Sequence, residues 1–376
     1  MKISIMFGGS CALPPEAIGA IEILWFNIGK VLAKKGHVLT LIGKGGACIN
    51  RNDENFTCRV FEGFSPTGRC VTLVRAFLAC LKMFHMLETC DVLVVNNVWA
   101  TLLSRFFRRR FRLLVNNVQR MPKGLFAFRN VGADLYVCPS REVARRVREA
   151  FHGKFGDRII VIPNPVDVSQ FYVRGDQNEV AQNTIVYHGR INEEKGLHIL
   201  AKAVAIIAES CPSVRLKMIG AYDVEKGGSG LGYMEKLNAL SGSRIDWVDA
   251  VADRGKLAKE ISGNAIYCYP SVAENGETFG VAPLEAMSLG MPVIVSSLRC
   301  FNDFVKDEET GLVFDHNADN PEEELAKKIL RVLSDDGLRD RLARNAHRVA
   351  QQFSTECVAK LVEDAFNMAL QTRGAP

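Results

Sequence analysis

At 376 residues, with 48% hydrophobic and 24% charged residues and a net charge of +5, the sequence has the size and composition of a globular protein of two or three domains. No apolar run approaches the roughly 18 residues that span a bilayer, and the opening run to Phe7, cut short by Gly8-Gly9, reads as a buried first strand rather than a signal peptide. Eleven cysteines without a C-x-x-C pair point away from a disulfide framework or a zinc site and towards a reducing cytoplasm.

Short apolar runs alternate with longer amphipathic ones. Residues 3–7, 38–42, 92–95, 113–115, 135–137 and 159–162 read as buried parallel strands, with helices over 20–35, 71–87 and 141–151. At Ile162-Pro163-Asn164-Pro165-Val166-Asp167 two prolines break the alternation, and the polar stretch 174–183 follows. The pattern then restarts, with strands over 184–187, 215–219, 245–248, 265–269 and 292–295. Helices are predicted over 197–209, 233–240, 256–261, 281–289 and 322–333. Two α/β domains with a crevice between them offer a place for a nucleotide.

The charge is divided unevenly. Residues 1–180 hold 25 Lys and Arg against 14 Asp and Glu; residues 181–376 hold 22 against 28. The sharpest basic cluster, Arg105, Arg108, Arg109, Arg110 and Arg112 with Phe106, Phe107 and Phe111 between them, has two readings. One is a helix end whose dipole welcomes cations; the other is a patch that meets an anionic membrane surface or an anionic acceptor. No nucleic-acid recognition module accompanies it.

Two motifs carry chemistry. In Gly189-Arg190-Ile191-Asn192-Glu193-Glu194-Lys195-Gly196, after a strand and before a helix, Gly189 permits a tight turn and Arg190 presents a planar fork of donors suited to phosphate. Lys195 adds a point charge near a helix N-terminus, where anions are favoured. In the segment from Glu274 to Met287, Gly280 ends a loop, Pro283 suits a first helical turn, and Glu277 and Glu285 flank amides able to cradle a diphosphate. His188 reads as a structural neighbour of Gly189, and the run Gly227–Gly232 as a flexible loop, since it does not match G-x-G-x-x-G.

These two elements, about 80 residues apart, resemble the retaining glycosyltransferases of family 4. So do Pro14, Pro15, Gly19 and Glu22, Lys35-Gly36-His37-Val38, the linker at 162–167, Thr310-Gly311-Leu312-Val313-Phe314, and Phe353-Ser354 before a last helix. The resemblance implies an α/β fold of the GT-B type, two Rossmann-like doubly wound domains facing a central crevice. The acceptor-side domain would span 1–165, completed by a C-terminal helix over 355–376, and the nucleotide-sugar-binding domain 166–354.

The resemblance also implies roles. Arg190, Lys195 and Glu277 would be catalytic; Gly19, Gly189, Phe279, Gly280, Val281 and Glu285 would bind the donor, with Glu285 on the ribose hydroxyls. Where the family usually has a His near a first-domain strand end, this chain has Asn116-Asn117-Val118-Gln119, so Asn117 or Gln119 is the expected sugar contact. No Asp-x-Asp occurs, and no metal or other cofactor is expected. The expected activity moves a hexose-type sugar from a UDP- or GDP-sugar, with retention, to an acceptor hydroxyl in polysaccharide or glycolipid synthesis. The expected place is the cytoplasm, including the inner membrane face. A nucleotide-sugar epimerase of the same fold and a non-catalytic sugar-nucleotide binder remain as rivals.

Overall fold

The structure, a computed structural model, describes residues 1–8, 12–13, 19–45, 54–63, 69–96, 99–171 and 181–374. Pro14, Pro15 and residues 174–180 of the polar stretch lie outside them. The chain divides into two compact units, Met1–Pro165 with Thr355–Pro376, and Val166–Ser354.

The first unit contains, in chain order, β1 (Lys2–Met6), β2 (Ala12–Leu13), α1 (Ala20–Lys34), β3 (Val38–Gly45), β4 (Phe56–Phe61), α2 (Arg69–Met86), β5 (Cys90–Val95), α3 (Ala100–Leu103), β6 (Phe111–Asn117), α4 (Phe126–Asn130), β7 (Leu135–Cys138), α5 (Arg141–Ala150) and β8 (Ile159–Val161). Its parallel sheet runs β2-β3-β1-β5-β6-β7-β8, with β4 beside β3. The strands are continuously apolar because both faces are covered. On one face Met83, Phe84, Val143 and Val147 from α2 and α5 are buried; on the other Trp25, Ile28 and Leu32 of α1 meet Val358, Val362 and Phe366. The last three belong to the C-terminal helix (Thr355–Gly374), which is pinned to the end of α1 where Glu363 takes Lys35 Nζ at 2.8 Å and His37 Nε2 at 2.9 Å.

The second unit continues with β9 (Ala181–His188), α6 (Leu197–Ser210), β10 (Arg215–Ile219), α7 (Leu231–Leu240), β11 (Ile245–Val248), α8 (Arg254–Ser262), β12 (Asn264–Tyr269), α9 (Val281–Ser288), β13 (Val293–Ser296), β14 (Leu312–Phe314), α10 (Pro321–Ser334) and α11 (Asp336–Gln351). Its parallel sheet runs β11-β10-β9-β12-β13-β14 around one core. The chain leaves β9 towards β10 on one side and returns to β12 on the other, so the order reverses between β9 and β12. That is where open α/β sheets bind ligands, at the strands' carboxyl ends.

β4 and α11 carried no prediction. β4 is a partly exposed edge strand whose Thr57 and Arg59 interrupt the apolar run. α11 is mostly charged, with a narrow buried stripe of Leu338, Leu342, Ala346 and Ala350. Residues 227–232, expected as a flexible loop, form a packed turn over 227–230 and then the start of α7. Gly228 donates to the Asp223 carbonyl at 2.8 Å and Ser229 to that of Ile191 at 2.9 Å, and a Cβ at Gly228 would fall 2.1 Å from the Tyr222 carbonyl oxygen.

The arginine cluster is largely spent within the fold. Residues Ser104–Arg110 form a 3-10 turn after α3. Arg108 pairs with Asp134 at 2.7 Å, and Arg110 caps the end of α2 through the carbonyls of Phe84 (2.8 Å) and Leu87 (2.9 Å). Arg105 donates to the Val131 carbonyl at 2.8 Å. Phe111 is buried and Phe107 stacks on Phe84, which leaves Phe106, 82% exposed, as the outward ring.

Candidate active site

The strand that ends at His188 turns at Gly189 into the loop 189–196. Gly196 has φ +64° and lies so close to the segment that follows β12 that a Cβ would fall 2.0 Å from the Pro270 carbonyl oxygen. Only glycine fits both demands. The Arg190 guanidinium, half-exposed, contacts Glu194 at 3.1 Å and the Gly227 carbonyl at 3.4 Å; Asn192 donates to the same carbonyl at 3.2 Å.

Lys195 is buried, and its Nζ lies 2.7 Å from Glu277 Oε2. Tyr269 supports the pair from both sides: its hydroxyl donates to the same carboxylate oxygen at 3.1 Å, and its ring lies 5.3 Å below the ammonium. The Glu277 amide donates to the Ala273 carbonyl at 2.8 Å, which fixes the approach of the side chain.

Tyr269 belongs to a set that alternation along the strands could have revealed. Tyr187, Tyr267 and Tyr269 stack, with centroids 5.7 Å (Tyr187–Tyr269) and 6.5 Å (Tyr267–Tyr269) apart. Burial pushes all three phenols well above the usual range, so they remain neutral donors. Tyr187 donates to the Arg190 carbonyl at 2.9 Å and Tyr267 to that of His188 at 3.4 Å.

Gly280 opens α9 in the left-handed region at φ +92°; a Cβ there would fall 2.5 Å from Phe301. The amides of Val281 and Ala282 precede the first intrahelical bonds, and Pro283 has no N–H. The Phe279 side chain is buried against Phe304 and Phe353, so only its backbone can serve a ligand. Glu285, in the second turn, accepts from His188 Nε2 at 2.8 Å and from Arg254 at 3.1 Å. Sequence reasoning set His188 aside and did not consider Arg254, which has no fixed spacing from either motif.

Within the second unit the structure thus gathers Gly189, Arg190, Lys195, Glu277, Phe279, Gly280, Val281 and Glu285 around the ends of β9 and β12. Gly19, Asn117 and Gln119 belong to the first unit. Gly19, at φ +117°, caps α1 without a side-chain cap. Asn117 donates to Asn96 Oδ1 at 2.6 Å, while Gln119 donates to Asn117 Oδ1 at 3.2 Å and to Asn164 Oδ1 at 2.9 Å. These amides form a chain at the carboxyl ends of β5 and β6. Among the described residues no group of three or more His, Cys, Asp or Glu is arranged to hold a metal ion.

Residues 172–349 match the family model described as glycosyl transferases group 1. The match falls within the second unit, which is thus similar to the group 1 glycosyl transferases. Phosphatidyl-myo-inositol mannosyltransferase of Mycobacterium tuberculosis is 28% identical over 211 residues, which cover 55% of this chain and 53% of that protein. The chain thus spans about half the length of the curated relatives it matches. Sucrose-phosphate synthase from Thermosynechococcus elongatus superposes with a TM-score of 0.80 at 20% identity, over 99% of this chain and 100% of that one. HepE from Anabaena, solved with UDP and glucose, gives 0.74 at 20% identity, over 98% and 100%. The fold is GT-B.

Glu22, in the first turn of α1, is buried, and burial raises its pKa while Arg120 nearby lowers it less. An acid whose folded pKa is raised weakens the fold once it ionises, and costs nothing at pH values where it is protonated in both states. Glu22→Gln is expected to raise the unfolding midpoint at pH 7, and that gain is expected to vanish below the ordinary carboxylate value near 4.5. Urea unfolding at pH 4 and pH 7 checks both limbs.

Proposed function

We propose that the chain is a glycosyltransferase that moves a hexose-type sugar from a UDP- or GDP-sugar to an acceptor hydroxyl, with retention of configuration and without a metal. The observation that carries this reading is the convergence of Arg190, Lys195, the first-turn amides of α9 and two carboxylates at the sheet's switch point. The solved complex of HepE with UDP and glucose, on the same fold, supports the donor class.

In the proposed reaction the bond from the anomeric carbon to the diphosphate oxygen breaks as positive charge develops on the sugar. Arg190, Lys195 and the α9 amides stabilise the departing diphosphate. The acceptor oxygen bonds to the anomeric carbon on the same face, and its proton passes to the departing phosphate oxygen. Glu277 orients the transferred sugar, and Glu285 holds the ribose. In the first unit, Gly19 is proposed as a phosphate contact and Asn117 with Gln119 as sugar contacts. An epimerase would convert the donor without an acceptor, and a binder would convert nothing; chromatography of donor products with and without acceptor separates the three.

Arg190→Ala is expected to lower kcat by about 100- to 1000-fold, as loss of one charge-stabilising donor does elsewhere. Lys195→Ala should match it, but it also strands a buried carboxylate, so its unfolding midpoint is measured alongside. Near-normal turnover in Arg190→Ala removes the phosphate assignment. Activity is also expected to survive EDTA; loss restored by Mg²⁺ or Mn²⁺ overturns the metal-free reading.

The acceptor is proposed to be lipid-linked or a surface polymer, met at an anionic membrane face. No described helix is long and apolar enough to cross a membrane. Residues 63–133 hold 11 Lys and Arg against only Glu88 and Asp91. Val74, Leu78, Phe106, Leu125 and Phe128 are exposed on the same elements. Trp99 ties these elements together, taking Phe77 of α2 edge-on at 5.7 Å and Arg129 of α4 at 5.6 Å. Basic residues near an anionic surface contribute about 1 kcal/mol each. Wild type is expected to co-sediment with anionic but not neutral liposomes, and less so in 1 M salt. A variant carrying Phe106→Ser, Phe128→Ser, Arg105→Ser and Arg109→Ser should remain in solution; equal sedimentation of the two proteins overturns the docking face.

A further inference from the structure

Glu285 is buried, yet two donors from two other elements meet its carboxylate. His188, the last residue of β9, places Nε2 2.8 Å from Oε2; Arg254, the first residue of α8, places a guanidinium nitrogen 3.1 Å from Oε1. Neither donor takes part in the reaction proposed above. Each is itself held. The His188 ring packs on Tyr267 at 5.4 Å, and the Arg254 guanidinium lies 5.6 Å over the Phe171 ring. His188 Nδ1 is buried with no hydrogen-bond partner among the described residues. The tautomer protonated at Nε2 satisfies this arrangement, because it gives Glu285 a donor and strands no N–H.

A carboxylate oxygen accepts about two hydrogen bonds. One donor on each oxygen therefore fixes the plane of the carboxylate and leaves one acceptor position on each side. Two such positions, side by side on a carboxylate that cannot rotate, match two hydroxyls on adjacent carbons. We infer that His188 and Arg254 are positioning residues, which clamp Glu285 in the orientation that grips the vicinal diol of a ribonucleotide. This rests on the reading of Glu285 as the ribose-holding residue.

The test compares binding of UDP and GDP with that of their 2′,3′-dideoxy forms by calorimetry, since only the ribo forms carry the diol. Whichever nucleotide binds wild type is expected to lose about tenfold or more on removal of both hydroxyls, the scale of a hydrogen bond to a charged group. Arg254→Ala, whose side chain is 41% exposed and whose loss should leave the fold intact, is expected to reduce that ratio to about threefold or less by the same scale. His188→Phe, which keeps a ring beside Tyr267, is expected to do the same, and Arg254→Lys to restore part of the ratio. A ratio unchanged in both variants, or equal weakening of ribo and dideoxy forms, marks a merely structural role and overturns the clamp. A wild type that binds both forms equally overturns the ribose reading of Glu285 itself, and the clamp with it.

Discussion

A parallel strand covered by helices on both faces has no polar side, so any group that can do chemistry has to leave it at an end. β9 and β12 follow this constraint. Ile185, Val186, Ile266 and Cys268 fill the interior, and even the tyrosines among them are stacked out of water. The carboxyl end of β9 is His188, and Gly189 and Arg190 follow it. The segment after β12 carries Glu277 and then α9. Because chain order reverses between these two strands, their loops diverge, and the second unit's candidate residues collect where they part.

The two cations of this site are not equivalent. Lys195 and Glu277 are both buried, and a buried charge stripped of its partner costs about 3–5 kcal/mol, so the pair has to exist before any ligand arrives. Arg190 and Glu194 are half-exposed, and such a pair is worth about 1 kcal/mol or less. The diphosphate of the proposed donor would therefore draw Arg190 away from Glu194 at little cost. It would engage Lys195 only by sharing that ammonium with Glu277. The geometry suits a residue that stays fixed beside one that adjusts. Tyr269 adds to the fixed part by donating to the carboxylate and lying beneath the ammonium.

In the first unit the dense run of arginines divides its labour. Those that reach backbone carbonyls or Asp134 hold α2, β6 and β7 together. What faces outward is more dispersed, drawn from α2, the turn after α3 and α4, and it includes apolar tips as well as charge. A linear cluster in sequence thus becomes part framework and part surface, because the 3-10 turn over Ser104–Arg110 sends neighbouring side chains in different directions.

Local pattern was enough to read the alternation of strands and helices, because a doubly covered parallel strand is continuously apolar. It was also enough to place both loop motifs, because glycines at Gly189, Gly196 and Gly280 mark places where the backbone turns tightly or approaches a neighbour too closely for a Cβ. Elements that bury little, such as β4 and α11, left no such mark. Long-range pairing was not legible at all. The bond between Lys195 and Glu277 joins residues 82 apart, and His188 and Arg254 reach Glu285 from 97 and 31 residues away. Nothing in the local sequence encodes those distances. They follow from strand order, which brings β9 beside β12, and from helix packing, which sets α8 and α9 over the same strand ends. The sequence by itself determined which groups emerge from the sheet; only the tertiary structure decided which of them meet.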